Sequence, residues 1–135
     1  MILFDQLATR TTNPMPALRT GIDLIEIARL ETIQPRIFER FLNRVFTPRE
    51  LEESRKSLAT LAGKFAAKEA VAKALGSGIG QVHWQDIEIL HGDLGEPILS
   101  LHGAALALAA QLGVTTWSIS ISHSQAYAVA MAVAM

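Results

Sequence analysis

"TWSISISHSQAYAVAMAVAM", residues 116–135, alternates almost without fault, and that alternation decides the fold class. Side chains on a strand point to opposite faces with period two. Trp117, Ile119 and Ile121 therefore share one face, and Ser118, Ser120 and Ser122 the other. Past a turn near Ser124, Tyr127, Val129, Met131 and Val133 line one face with alanines opposite. Such a pair of runs reads as an antiparallel hairpin. The alanine row leaves room for something to pack very closely on it. An apolar residue or alanine at every position of the second strand is also compatible with a buried subunit face.

Working outward, "TPRELEESRKSLATLAGKFAAKEAVAKALG" (47–76) reads as helical for most of its length. Thr47 can cap it, Pro48 suits the first helical position and Glu50 completes a capping box. Gly63 either breaks or weakens the helix, and Gly76 is a natural stop. "PRIFERFLNRVF" (35–46) places Phe38, Phe41, Leu42 and Val45 at helical spacing behind Pro35. "ALRTGIDLIEI" (17–27) reads as a strand running into a short turn or helix. "WQDIEILHGDLGEPILSL" (84–101) reads as two strands around a Gly-rich turn, and "HGAALALAAQLGV" (102–114) as a small apolar helix. The expected class is α+β, an antiparallel sheet packed with helices. Residues 1–16, ending in the turn-rich "TTNPMP", are expected to form an N-terminal extension, and residues 17–135 a single domain.

The bulk numbers narrow the function. A chain of 135 residues, half of them hydrophobic, can bury a real core. A net charge of −1 argues against disorder and against a nucleic-acid protein held by bulk positive charge. With no cysteine, disulfides and thiolate metal sites are excluded. The N-terminus has no basic start followed by a long apolar run, so no signal peptide is expected. The longest apolar run, "AYAVAMAVAM", is too short for a bilayer, which needs about 20 residues. A cytoplasmic protein without membrane or nucleic-acid partners is the expectation.

Several residues could carry chemistry. Glu69 sits within the apolar arc of Leu58, Leu61, Phe65 and Ala72, roughly 40° from Phe65 at about 100° per residue. An ionised carboxylate there is costly unless paired or bound to a metal. It is either an i,i+4 partner of Lys73 on a solvated edge or a metal ligand beside a phosphate-binding edge formed by Lys64, Lys68 and Lys73. Asp23 interrupts "GIDLIEI" and is either a helix cap with Glu26 or a carboxylate at a strand end, aimed into a crevice. "GSGIG" (76–80) is a plain C-cap and loop or a place where backbone amides approach phosphate. It is neither a dinucleotide fingerprint nor a Walker loop. His123 lies between Ser122 and Ser124 in a polar cluster, while His83, His91 and His102 have no zinc-ligand spacing. Arg36, Arg40 and Arg44, preceded by Arg29, make a row that is either a solvated face or a stripe for an acidic partner helix.

In order, "GIDLIEIARLE", "RFLNRVFTPREL", "LAGKFAAKEAVAKALGSGIG", "DIEI" and "SISISHSQAYAVA" closely resemble the holo-acyl-carrier-protein synthases, small phosphopantetheinyl transferases. The resemblance covers about residues 17–133. It implies transfer of the 4′-phosphopantetheine arm of coenzyme A to a serine of apo acyl carrier protein, with adenosine 3′,5′-bisphosphate as the other product. It implies Mg²⁺ held by Asp23 and Glu69, with Lys73 at the phosphates or the entering hydroxyl. Lys64, Lys68, Lys73, Gly76, Ser77, Gly78, His123 and Ser124 would bind coenzyme A. Arg29, Arg36, Arg40 and Arg44 would dock the carrier's acidic helix. A homotrimer with its sites at subunit interfaces is implied as well. Three departures stand out: Lys64 where the family commonly has Arg, the N-terminal extension, and a short stretch between "RELEE" and "LAGKF". The competing readings are a catalytically idle module that binds coenzyme A or a carrier, and a structural subunit of a synthase.

Overall fold

The computed structural model describes residues 18–135, so the expected extension at 1–16 lies outside the described residues. The elements in chain order are strand β1 (Arg19–Glu26), helices α1 (Ala28–Glu31), α2 (Pro35–Val45), α3 (Pro48–Ser54) and α4 (Leu58–Leu75), and a single 3-10 turn (Trp84–Asp86). Strands β2 (Ile87–His91) and β3 (Pro97–Leu101), helix α5 (Gly103–Leu112) and strands β4 (Trp117–His123) and β5 (Tyr127–Ala134) follow. The architecture is α+β, with a three-stranded antiparallel sheet ordered β1-β5-β4 and a separate β2-β3 hairpin.

The expected hairpin is β4-β5, and what packs on its alanine row is α4. Ala128, Ala130, Ala132 and Ala134 are buried on one face of the central strand. Ala66, Ala67, Ala70 and Ala74 of α4 are buried with them. Small side chains on both elements let the helix axis come close to the sheet, which rules out bulk at the contact. A Cβ at Gly21 of β1 would run into the backbone carbonyl of Ala70. One at Gly63 of α4 would lie 2.9 Å from Ile121 Cγ2. Gly63 therefore stays inside the helix, and the sequence signal it gives comes from packing.

The helical stretch 47–76 breaks elsewhere. α3 ends at Ser54, and Arg55 and Lys56 take φ of 48° and 62°, left-handed values that non-glycine residues rarely adopt. Ser57 then caps α4, accepting from Thr60 N at 3.3 Å. The expected capping box at Thr47 and Glu50 is formed, and Gly76 ends α4 with φ 73°.

Phe38, Phe41, Phe65 and Trp84 form a chain of aromatic contacts that ties α2 to α4 and to the 3-10 turn. The sheet face away from α4 remains apolar and open, with Ile22 59% and Leu24 63% exposed.

Candidate active site

Asp23 lies mid-strand in β1, opposite Ala130, and on the α4 side of the sheet. It caps no helix: α1 begins after Ile27. The same strand residue parity that buries Gly21 brings Asp23 to the flank of α4. Glu69 comes from that flank, one turn before Lys73. Both carboxylates line one cavity of about 390 Å³ with Arg29, Leu30, Phe41 and Phe65. Lys73 Nζ donates to Ile22 O at 2.8 Å and to Asp23 Oδ1 at 3.2 Å. Its ion pair is with Asp23, on the neighbouring strand, in place of the i,i+4 partner Glu69.

Glu69 is thus a half-buried carboxylate with no ion pair within 4.0 Å among the described residues. Burial raises its pKa, the negative charge of Asp23 raises it further, and Lys73 opposes them without cancelling them. That electrostatic state fits a cation site. A hard divalent ion such as Mg²⁺ takes one or two protein carboxylates and completes its shell with water and substrate phosphate. No group of three or more His, Cys, Asp or Glu side chains could hold a metal among the described residues, so such an ion would need outside oxygens here.

The proposed coenzyme A residues divide. Lys64 and His123 line a second cleft of about 200 Å³, with Thr60, Gly63, His91 and Ile121. Ser124 follows on the hairpin turn, where its hydroxyl accepts from Tyr127 N at 3.1 Å and organises that turn. Gly76, Ser77 and Gly78 lie at the other end of α4, about 18 Å along the helix from Lys64 at 1.5 Å per residue. Lys68 requires a correction. Its side chain is fully buried, and Nζ donates to Glu50 Oε1 at 2.8 Å, Trp84 O at 3.0 Å and Ile87 O at 2.5 Å. Burial lowers its pKa, with Glu50 opposing. The expected phosphate-binding edge does not form as an exposed row of three lysines: Lys64 and Lys68, one turn apart on the same flank, both reach into the joint of α4 with α3 and β2, and Lys73 pairs with Asp23.

The cleft and the acidic cavity flank α4 on opposite sides. Ile121 and Asp23 both pair with Ala130 of the central strand, which puts them two strand spacings apart, roughly 10 Å. Helix α4 lies between, so one chain does not merge the two into a single surface.

Arg36, Arg40 and Arg44 are exposed along α2, and Arg29 reaches the rim of the acidic cavity. Arg40 and Arg44 line a groove of about 630 Å³ together with Ile37, Phe41 and Asn43. None of these arginines makes an ion pair among the described residues. Sequence reasoning missed Glu53, which accepts from Lys64 Nζ at 2.7 Å, and His91, which bonds to the same Glu53 oxygen. No local spacing signals them, since α3, α4 and β2 meet only in the fold.

The family model for the 4′-phosphopantetheinyl transferase superfamily matches residues 19–132. The holo-[acyl-carrier-protein] synthase of Natranaerobius thermophilus is 51% identical over 120 residues, covering 84% of this chain and 93% of its own. That of Dehalococcoides mccartyi is 49% identical over 117 residues, covering 87% and 98%. Among solved structures, Helicobacter pylori holo-[acyl-carrier-protein] synthase in complex with coenzyme A superposes with a TM-score of 0.78 at 33% identity, covering 86% of this chain and 99% of that one. The Bacillus anthracis synthase in complex with CoA (3′,5′-ADP) gives 0.70 at 35% identity, covering 87% and 97%.

Proposed function

The chain belongs to the holo-[acyl-carrier-protein] synthases of the 4′-phosphopantetheinyl transferase superfamily, and on that premise we propose a Mg²⁺-dependent transfer centred on Asp23 and Glu69. The family's reaction moves the phosphopantetheine arm of coenzyme A onto apo acyl carrier protein; the other product here is adenosine 3′,5′-bisphosphate. The observation that carries this reading is the cavity in which two carboxylates from distant parts of the chain face each other, one of them without a cationic partner of its own.

Mg²⁺, when bound, would neutralise the charge that builds on the pyrophosphate oxygens. Asp23 and Glu69 are the residues that would hold it. Lys73, half-exposed beside them, is placed to move from Asp23 to a phosphate oxygen or to the entering serine hydroxyl. Leu30, Phe41 and Phe65 wall the cavity with apolar surface and limit water around the reacting phosphorus. Positioning of serine and pyrophosphate then accounts for much of the rate.

Lys64 and His123 receive coenzyme A phosphate on the far side of α4, and the Gly76–Gly78 loop meets another part of the nucleotide. Because α4 separates these surfaces within one chain, the reading includes a homotrimer whose subunits each complete a neighbour's site. The exposed apolar sheet face carrying Ile22, Leu24 and Met131 supports it. The open arginine row beside the acidic cavity suits the acidic helix of a carrier. Residues 1–16 are assigned to an extension outside the catalytic domain, and a cytoplasmic location accords with the reaction.

The test is incubation with coenzyme A, Mg²⁺ and an apo carrier. Mass spectrometry should show the carrier gaining a phosphopantetheine arm. An unmodified carrier, with coenzyme A bound, would favour the idle-module reading and overturn this one.

A further inference from the structure

Lys64 is engaged before any anion arrives. Its side chain is 1% exposed, and Nζ donates to Glu53 Oε1 at 2.7 Å and to Ile89 O at 2.8 Å. The same Glu53 oxygen accepts from His91 N at 2.8 Å and meets His91 Nδ1 at 2.5 Å. Glu53 lines a neighbouring groove with Arg49, Glu52 and Arg55, and it bonds to Lys64 and His91, which both line the Lys64–His123 cleft. Burial alone would raise its pKa, but hydrogen bonds from Lys64 and His91 outweigh that and hold it below the usual glutamate value. It is therefore a carboxylate at neutral pH.

The other charges around Lys64 are directed elsewhere. Lys68, on the same helix, is committed to Glu50. Glu88 of β2 accepts from Thr47 Oγ1 and faces Arg49 and His102. Glu53 is the one carboxylate in contact with Lys64 among the described residues. A phosphate entering the cleft meets an ammonium that already has a counter-ion of its own.

We propose that Glu53 is a resident counter-ion that competes with the ligand's phosphate for Lys64, setting how tightly the cleft holds its nucleotide. The inference rests on the reading of the cleft as a coenzyme A phosphate site. Its physical logic is an exchange of anions. Without Glu53 the buried ammonium would be left uncompensated, which is costly. With it, each phosphate that binds must displace a carboxylate, so part of the attraction cancels and the bisphosphate product leaves more readily. His91, donating to Glu53 from two nitrogens, biases the carboxylate toward its resident position.

The experiment is calorimetric titration of the full-length wild type, Glu53→Gln, Glu53→Asp and His91→Ala with coenzyme A and with adenosine 3′,5′-bisphosphate, beside transfer assays. Glu53→Gln should bind both nucleotides about fivefold more tightly, the scale of one partly exposed ion pair. Glu53→Asp keeps the charge and should stay within about twofold of wild type, which a merely structural role for the side chain would not predict. His91→Ala retains the backbone bond to Glu53 and should shift in the same direction by a smaller factor. It carries the test if Glu53→Gln does not fold. A wild type that transfers the arm, beside folded variants that bind no more tightly, overturns the inference alone. A wild type that does not bind coenzyme A overturns the underlying reading and the inference with it.

Discussion

Lys68→Met tests whether the lysine nearest Glu69 in sequence belongs to the fold or to the ligand. The substitution removes an ammonium that is fully buried and bonded to Glu50, Trp84 O and Ile87 O. Glu50 keeps bonds from Thr47 N and Ile89 N but loses its only charged partner among the described residues. Two carbonyls lose a donor as well. Breaking one side of a buried ion pair costs about 3–5 kcal/mol. At about 4 °C per kcal/mol for a domain of this size, Tm should fall by roughly 12–20 °C. Urea and thermal melts give the loss. Calorimetry with coenzyme A, below the lower transition, gives binding, which should change by less than about twofold. The double substitution Glu50→Gln/Lys68→Met should recover more than half of the lost stability, since no uncompensated charge is left. A Lys68→Met protein within about 1 kcal/mol of wild type that has lost coenzyme A binding would refute the assignment, because it would mean that the ammonium reaches the ligand.

Glu69→Gln and Asp23→Asn should each abolish transfer and leave the protein folded, read by mass spectrometry and thermal melts; retained activity in either removes its ligand role. Glu69 has a raised pKa, so the folded chain holds that proton more tightly than the unfolded chain does. Stability without divalent ions should therefore fall as pH rises from the ordinary glutamate value through the raised one, then level off. Urea melts across that window should show the slope in wild type, and none of it from this group in Glu69→Gln. Arg40→Glu or Arg44→Glu should raise KM for the carrier at least tenfold while moving KM for coenzyme A less than about twofold, as expected of a charged docking stripe. Equal effects on both would count against it.

The sheet and its helix were legible because their patterns are local. Strict alternation over residues 117–134 gave β4 and β5, and the capping signals at Thr47 and Gly76 gave the ends of the helical stretch. The break at Arg55 and Lys56 was not legible, since both take a backbone conformation that their side chains do not advertise. Asp23 and Glu69 could be singled out as misplaced carboxylates, yet only the pairing of β1 with β5 under α4 puts them in one cavity. Lys64, Lys68 and Lys73 look alike in sequence and have separate fates. Lys64 pairs with Glu53, Lys68 with Glu50, and Lys73 with Asp23. Those partners lie 11, 18 and 50 residues away, beyond any local spacing rule.

The most direct measurement is a crystal structure of the chain with coenzyme A and Mn²⁺ in place of Mg²⁺, read by anomalous scattering. One peak should appear in coordinating contact with a carboxylate oxygen of Asp23, one of Glu69 and a pyrophosphate oxygen. A peak that touches only one of the two side chains, or none between them with nucleotide clearly bound, would contradict the shared cation on which the proposed chemistry depends.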